Sequence, residues 1–266
     1  MRQYILIFIC IIAAAGCSEQ SRINRQPMPG PSADVNSSDD AAFAELEEEF
    51  SQREEKIADP LEPFNRTMHN INDVIYFWVV KPVSKTYENA VPQPARTGIR
   101  NFFHNLTTPV RLVNCVLQGK LPAAGRELKR FAINTTAGVL GFGDPAGDQD
   151  GIKAAEEDLG QTLAVYGLGD GFYIVWPLLG PSTLRDSVGI FGDQFLDPVR
   201  YVEPVEASIG VSAFSGTNDA SFHTGEYEAF KEASIDPYIA MRGAYMQYRK
   251  KLILDEEQTD ANSTEQ

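Results

Sequence analysis

The sequence predicts an all-α body, on three observations. Apolar residues recur at three- and four-residue spacing in several segments, Pro or Gly punctuates those segments, and no stretch alternates apolar with polar long enough for a hairpin array. The last point disfavours a membrane β-barrel, whose strands need sustained alternation.

The first helix is expected from Asn65 onward, where Met68, Ile71, Ile75, Trp78 and Val79 share a face and Pro82 kinks or ends the run. Thr108-Pro109 places a capping hydroxyl before a first-turn proline, with Val110, Val113 and Leu117 on one stripe. Pro122 opens a further segment carrying Leu128, Phe131 and Ala132. The last helix has the clearest signal. It starts at Asp236-Pro237, keeps Tyr238, Met241, Tyr245, Tyr248 and Leu252 in register, and carries Lys250 and Lys251 where its negative end is expected.

One run fits neither period. Phe172, Tyr173, Ile174, Val175, Trp176, Leu178 and Leu179 lie between Gly171 and Gly180, interrupted by Pro177, and are too few to cross a bilayer. Two readings stay open, a buried hairpin and a segment dipping into one leaflet.

The ends of the chain have a different character. Arg2 precedes an apolar run from Tyr4 to Ala15, of signal-peptide length and short of a spanning helix. Ala14-Ala15-Gly16-Cys17 resembles a lipobox, with Ala14 where Leu is usual, so residues 1–16 are expected to be removed and Cys17 to be lipidated. By resemblance to lipoprotein sorting rules, Ser18 favours the outer membrane over the inner.

Residues 17–58 read as an acidic flexible tether and residues 255–266 as an acidic disordered tail, flanking a body at 59–254. A coil of the tether's length spans roughly 35 Å. Within it, Phe43, Leu46 and Phe50 suggest one short helix.

Charge follows the same division. The formal net charge is −14, but Ser18 to Pro60 holds 11 acids against 4 bases and Asp255 to Gln266 holds 5 acids and no base, leaving the body near neutral. Such a body lacks the basic face that nucleic acid requires. Cys10 leaves with the signal and Cys17 is modified, so Cys115 alone remains and no disulfide is expected. Cys115 itself reads as a small buried hydrophobe.

Catalytic signals are thin. The sequence has no His-Glu-x-x-His, no Cys-x-x-Cys, no Gly-x-Ser-x-Gly and no phosphate loop, and its three histidines, His69, His104 and His223, stand apart from any metal-type cluster. Gly167-Leu168-Gly169-Asp170-Gly171 reads as a turn. The expectation is a protein that is not an enzyme and holds neither cofactor nor metal.

From Asp59 onward the chain resembles the MlaA (VacJ) family of outer-membrane lipoproteins. The motifs are Asp59-Pro60-Leu61-Glu62-Pro63-Phe64-Asn65-Arg66, Val91-Pro92-Gln93-Pro94-Ala95-Arg96, Asn101-Phe102-Phe103, Asn105-Leu106, Leu117-Gln118-Gly119-Lys120 and Arg130-Phe131-Ala132-Ile133-Asn134-Thr135. They continue through Glu157-Asp158-Leu159-Gly160-Gln161-Thr162-Leu163, Tyr166-Gly167-Leu168-Gly169, Leu179-Gly180-Pro181-Ser182-Thr183-Leu184-Arg185-Asp186 and Asp236-Pro237-Tyr238-Ile239. Leu159, Phe172 and Ile71 depart from the family's usual Phe, Pro and Phe.

The resemblance implies a ring of amphipathic helices lying in the inner leaflet of the outer membrane around a central amphipathic channel. It implies a passive path that withdraws phospholipid from the outer leaflet and passes it to a periplasmic carrier, MlaC, beside a trimeric porin. Two C16 acyl chains bared to water would cost on the order of 25 kcal/mol, so such a path must keep them covered. On this reading Phe102, Phe103, Phe142, Phe172, Trp176, Leu178 and Leu179 are candidates for the lipid path or leaflet insertion, and Tyr238, Tyr245 and Tyr248 for a porin contact. The competing reading is a structural adaptor lipoprotein that organises porins or envelope components without moving lipid.

Overall fold

The first helix, α1 (Glu62–Ile75), does not stop at Pro82. Its ladder widens into a π-helical segment, Tyr76–Val80, where the Lys81 N–H reaches back to the Tyr76 carbonyl, and α2 (Lys81–Ala90) continues from there with Pro82 in its first turn. The wider turn accommodates a residue that lacks an N–H and would clash in a regular interior. It also rotates the face, so that Trp78 and Val79 turn outward while Ile71 and Ile75 stay half-buried.

The computed structural model describes residues 59–148 and 151–264, with side chains to Leu254. The expected signal peptide, lipidated Cys17, the tether and its short helix lie outside the described residues. After α2 come α3 (Gln93–Leu106), α4 (Thr108–Leu117), α5 (Leu121–Thr136), the single turn α6 (Pro145–Asp148) and α7 (Leu159–Val165). Strands β1 (Tyr173–Trp176) and β2 (Gly180–Thr183) follow, then α8 (Leu184–Asp193), a 3-10 turn (Pro198–Tyr201), α9 (Val205–Ala220), α10 (Glu226–Ala233) and α11 (Pro237–Thr264). The architecture is mostly helical, as the periodicity predicts.

Three local expectations need correction. The all-α reading omits the antiparallel β1–β2 pair, which realises the hairpin alternative with Tyr173 opposite Thr183 and Trp176 opposite Gly180. Thr108 is not a cap: Thr107 holds that position without a side-chain bond, and the Thr108 hydroxyl donates to the Asn105 carbonyl at 2.8 Å. Lys250 and Lys251 sit within α11 rather than at its end, because the helix runs on to Thr264 through residues read as tail.

Helix α1 docks on the hairpin through two asparagines. Asn65 Nδ2 donates to the Tyr173 carbonyl (3.0 Å) while its Oδ1 accepts from the Val175 N–H (2.8 Å). Asn72 repeats the arrangement with the Trp176 carbonyl (2.9 Å) and the Leu178 N–H (2.8 Å). Seven helical residues advance about 10.5 Å. Three extended residues advance about 10 Å, so the two amides meet the strand in register. The Asn65 amide occupies β1 backbone groups that face away from β2, where a buried edge would otherwise be costly, and the Asn72 amide holds the last residue of the strand and the turn beyond it.

Polar side chains also hold the other elements together. Asp59 accepts from Asn65 Nδ2 (2.8 Å), from Arg242 Nη1 (2.9 Å) and from the Tyr238 hydroxyl, while Arg66 pairs with Asp236 at 2.9 Å, joining the start of the body to α11. Asp236 caps α11 by accepting from the N–H groups of Tyr238 and Ile239. The helices α4 and α5 pack together around Arg111–Glu127, an ion pair at 2.8 Å with Glu127 fully buried. Asp186 on α8 receives Arg249 and the Tyr245 hydroxyl (2.7 Å) from α11.

The outcome is an inverted distribution. Among the described residues the buried apolar side chains number nine, four of them alanine, whereas twenty-two polar or charged side chains are buried and thirty large hydrophobic ones are exposed. On α5 the stripe of Leu128 and Phe131 faces outward, and Glu127, Arg130 and Asn134 face inward. Helix α4 repeats this, with Leu117 out and Arg111 and Asn114 in. Water gives no reason for that arrangement, since burying polar groups costs free energy and exposing large apolar ones gains none.

Candidate functional site

The molecule combines an apolar exterior with a charged cavity. Trp78 is 80% exposed and Phe195 77%, and no helix among the described residues is long and apolar enough to cross a membrane. Two apolar projections are held in left-handed backbone. Leu178 (φ 67°), at the hairpin tip beside Leu179, is fixed by Asn72, and Val139 and Leu140 (φ 53° and 58°) protrude from the loop after α5. A β-branched residue in that region is strained, and such strain persists where the surrounding structure imposes it. Here the neighbours are tight: a Cβ at Gly138 would lie 2.4 Å from the Asn134 carbonyl oxygen.

The cavity, of about 540 Å³, lies among α3, α4, the segment before α7, α8, the 3-10 turn, α9 and α11. Val110, Ile190 and Leu252 give it an apolar wall, and Arg111, Asp193, Asp197, Arg200 and Arg249 give it a charged one. His104 faces Glu156 at 3.4 Å, and the imidazole's hydrogen bond holds the Glu156 carboxyl below its ordinary range. Asp158 sits against Arg249 at 2.6 Å; burial pushes its carboxyl up, but the guanidinium outweighs this and leaves it below the usual range. Asp193 shows the opposite balance. Burial and the Asp158 charge raise its carboxyl above the ordinary value, although the Leu159 N–H and Asn114 Nδ2 donate to it, both at 2.9 Å.

The candidate residues from the sequence divide into groups. Phe102 stacks on Phe142 at 5.0 Å and meets Phe103 edge-on at 5.4 Å, forming an aromatic cluster between α3 and the loop after α5. Trp176 is separate: its indole N–H donates to Ser187 Oγ (2.8 Å) and its ring meets Phe191. Phe172 is half-buried, and Leu178 and Leu179 are exposed. None of these seven lines the charged cavity.

The tyrosines form a further group. Tyr238 is buried against Tyr173 and bonded to Asp59, and Tyr245 is half-buried with its hydroxyl on Asp186, so both are engaged within the fold. Both hydroxyls are pushed up by burial and then by their carboxylate neighbours. Tyr248 is exposed, and it lines the cavity. The sequence reading missed the cavity's charged wall altogether. The available signal was Arg111 and Asp193 interrupting apolar helix segments, residues easily taken for solvated ones.

The fold and site thus define a mostly helical protein with apolar groups outside and polar groups within. The sequence profile of the MlaA lipoprotein family matches residues 57–252, and the chain belongs to that family. It is 38% identical over 193 residues to the intermembrane phospholipid transport system lipoprotein MlaA of Escherichia coli (strain K12), covering 71% of this chain and 76% of the relative. The lipoprotein of the same name from Haemophilus influenzae is 32% identical over 197 residues, with the same two coverages. An uncharacterised Rickettsia conorii protein is 31% identical over 196 residues, covering 73% of this chain and 78% of the relative. A chain solved in work on the structural basis for maintenance of bacterial outer membrane lipid asymmetry superposes with a TM-score of 0.65. It is 34% identical and aligns over 74% of this chain and 99% of its own length.

Proposed function

We propose that this protein is a passive phospholipid path of the outer membrane, withdrawing phospholipid that has strayed into the outer leaflet and releasing it to a periplasmic carrier of the MlaC type. The observation that carries the reading is the inverted burial: among the described residues, thirty exposed large hydrophobic side chains over an interior of paired polar groups. Such a surface is stable where hydrocarbon rather than water surrounds it. The relatives named for intermembrane phospholipid transport supply the cargo.

In this reading the helices form a ring within the inner leaflet, and a lipid on Cys17 holds the chain to the periplasmic face of the outer membrane through the 17–58 tether. Leu178, Leu179, Val139 and Leu140 enter the hydrocarbon. The cavity, apolar on one side and charged on the other, passes the headgroup while the acyl chains stay covered. A trimeric porin borders the ring. No bond is made or broken, so the path needs no catalytic residue, cofactor or nucleotide.

Deletion of the gene in its own host tests this. Phospholipid is expected to accumulate in the outer leaflet and to clear when the wild-type gene is restored; unchanged leaflet composition with porin organisation lost would favour the adaptor instead.

A further inference from the structure

We infer that the charged cavity selects zwitterionic phospholipids, with the headgroup phosphodiester on Arg200 and its cationic amine on Asp193 and Asp197. The inference rests on the transport reading and adds the class of headgroup. Its starting point is the pairing of the cavity's charges. Arg111 is committed to Glu127 at 2.8 Å, and Arg249 to Asp158 at 2.6 Å and to Asp186. Arg200 also lines the cavity, at an exposed position of the 3-10 turn, and among the described residues its guanidinium makes no ion pair or hydrogen bond. It is the spare cation.

Two carboxylates are spare in the same sense. Asp193 receives only neutral donors, the Asn114 amide and the Leu159 N–H, and Asp197 receives only the Val199 N–H at 3.0 Å. Neither forms an ion pair among the described residues. The Asp193 carboxyl is raised by burial, so an approaching ammonium would relieve an existing cost. At about 540 Å³ the cavity falls within the roughly 300–1,000 Å³ range of small-ligand sites, and Val110, Ile190 and Leu252 offer an apolar wall for the root of the acyl chains.

This charge count decides between headgroups. A zwitterion satisfies both signs, whereas a headgroup bearing phosphate without an amine gains Arg200 but meets two uncompensated carboxylates. Neutral donors and a lone cation therefore favour phosphatidylethanolamine over phosphatidylglycerol.

The test is to mix the full-length lipoprotein in mild detergent with vesicles of equimolar phosphatidylethanolamine and phosphatidylglycerol, re-isolate it and identify bound lipid by mass spectrometry. Wild type is expected to favour phosphatidylethanolamine by about tenfold, the scale of one charge-assisted hydrogen bond. Arg200→Gln, at an exposed position, should lower total bound phospholipid, and the Asp193→Asn, Asp197→Asn double variant should bind lipid in the vesicle's own ratio. Circular dichroism confirms that both variants fold. If lipid binds but wild type shows no preference, or either variant behaves as wild type, headgroup selection is overturned and the transport reading stands. If wild type binds no phospholipid at all, the transport reading fails and this inference with it.

Discussion

Asn65 pairs with Val175 as a backbone group would, its Oδ1 taking the Val175 N–H at 2.8 Å while its Nδ2 gives to the Tyr173 carbonyl. The side-chain amide thus extends the hairpin from within a helix. Asn65 is fully buried, so nothing else reaches these groups.

Replacing Asn65 by Leu leaves a buried N–H and a buried carbonyl without their partner, at about 1–3 kcal/mol for each group. We expect a loss of about 2–5 kcal/mol in urea unfolding. Asn72→Ala should cost less, because the Leu178 end of the hairpin is exposed. Its signature should be faster hydrogen exchange at the Leu178 amide, with Val175 unchanged.

The Arg111–Glu127 pair gives a sign test. Glu127→Ala strands a buried guanidinium and removes the acceptor of the Ala155 N–H (2.8 Å), with an expected cost of about 3–5 kcal/mol. Arg111→Met with Glu127→Leu removes both charges at similar volume and should recover the part of that loss due to the stranded charge, leaving the cost of the unpartnered Ala155 N–H. If the double variant is no better than the single one, the pair is not the source of the cost.

Acid should loosen the contact between α10 and the π-helical segment. Burial pushes the Glu228 carboxyl up, but hydrogen bonds from Lys81 and Tyr76 outweigh it and hold it down to about 2, while burial and then Glu228 push the Tyr76 hydroxyl up to about 12. A depressed carboxyl contributes stability that is present above its unfolded value of 4.5 and lost as pH falls towards about 2. Because both partners are partly exposed, the contribution should be near 1 kcal/mol. Thermal scans of Glu228→Gln should show that much less stability at pH 7 and a shallower loss between pH 5 and pH 2.

Helix positions were legible in the sequence wherever spacing and proline agreed, as at Asp236-Pro237 and Pro122. The direction of the faces was not legible. A stripe such as Leu128 and Phe131 has the same period whether it meets a core or a lipid, so period alone leaves its direction open. Polar members of the motifs quoted for their resemblance build the polar interior: Gln118 and Lys120 bind Glu157 at 2.7 Å, Arg130 binds Asp144, and Asp158 and Asp186 share Arg249. Such pairings join residues up to 91 positions apart and leave no local trace.

The anchor and the apolar surface should act separately. A Cys17→Ala variant exported by a cleavable signal is expected to stay partly with outer membranes after fractionation. Adding Leu178→Glu and Leu179→Glu, at two exposed positions of the hairpin tip, should release most of it to the periplasm. Complete solubility of Cys17→Ala alone would make the lipid the sole attachment.

Trp78 offers the most direct test of the central claim, that the apolar exterior faces hydrocarbon. The chain has two tryptophans, so Trp176→Phe leaves Trp78, 80% exposed, as the lone indole reporter. In vesicles its fluorescence should be quenched by phospholipids brominated on their acyl chains and protected from aqueous iodide. Strong iodide quenching without bromolipid quenching would put Trp78 in water and contradict the account.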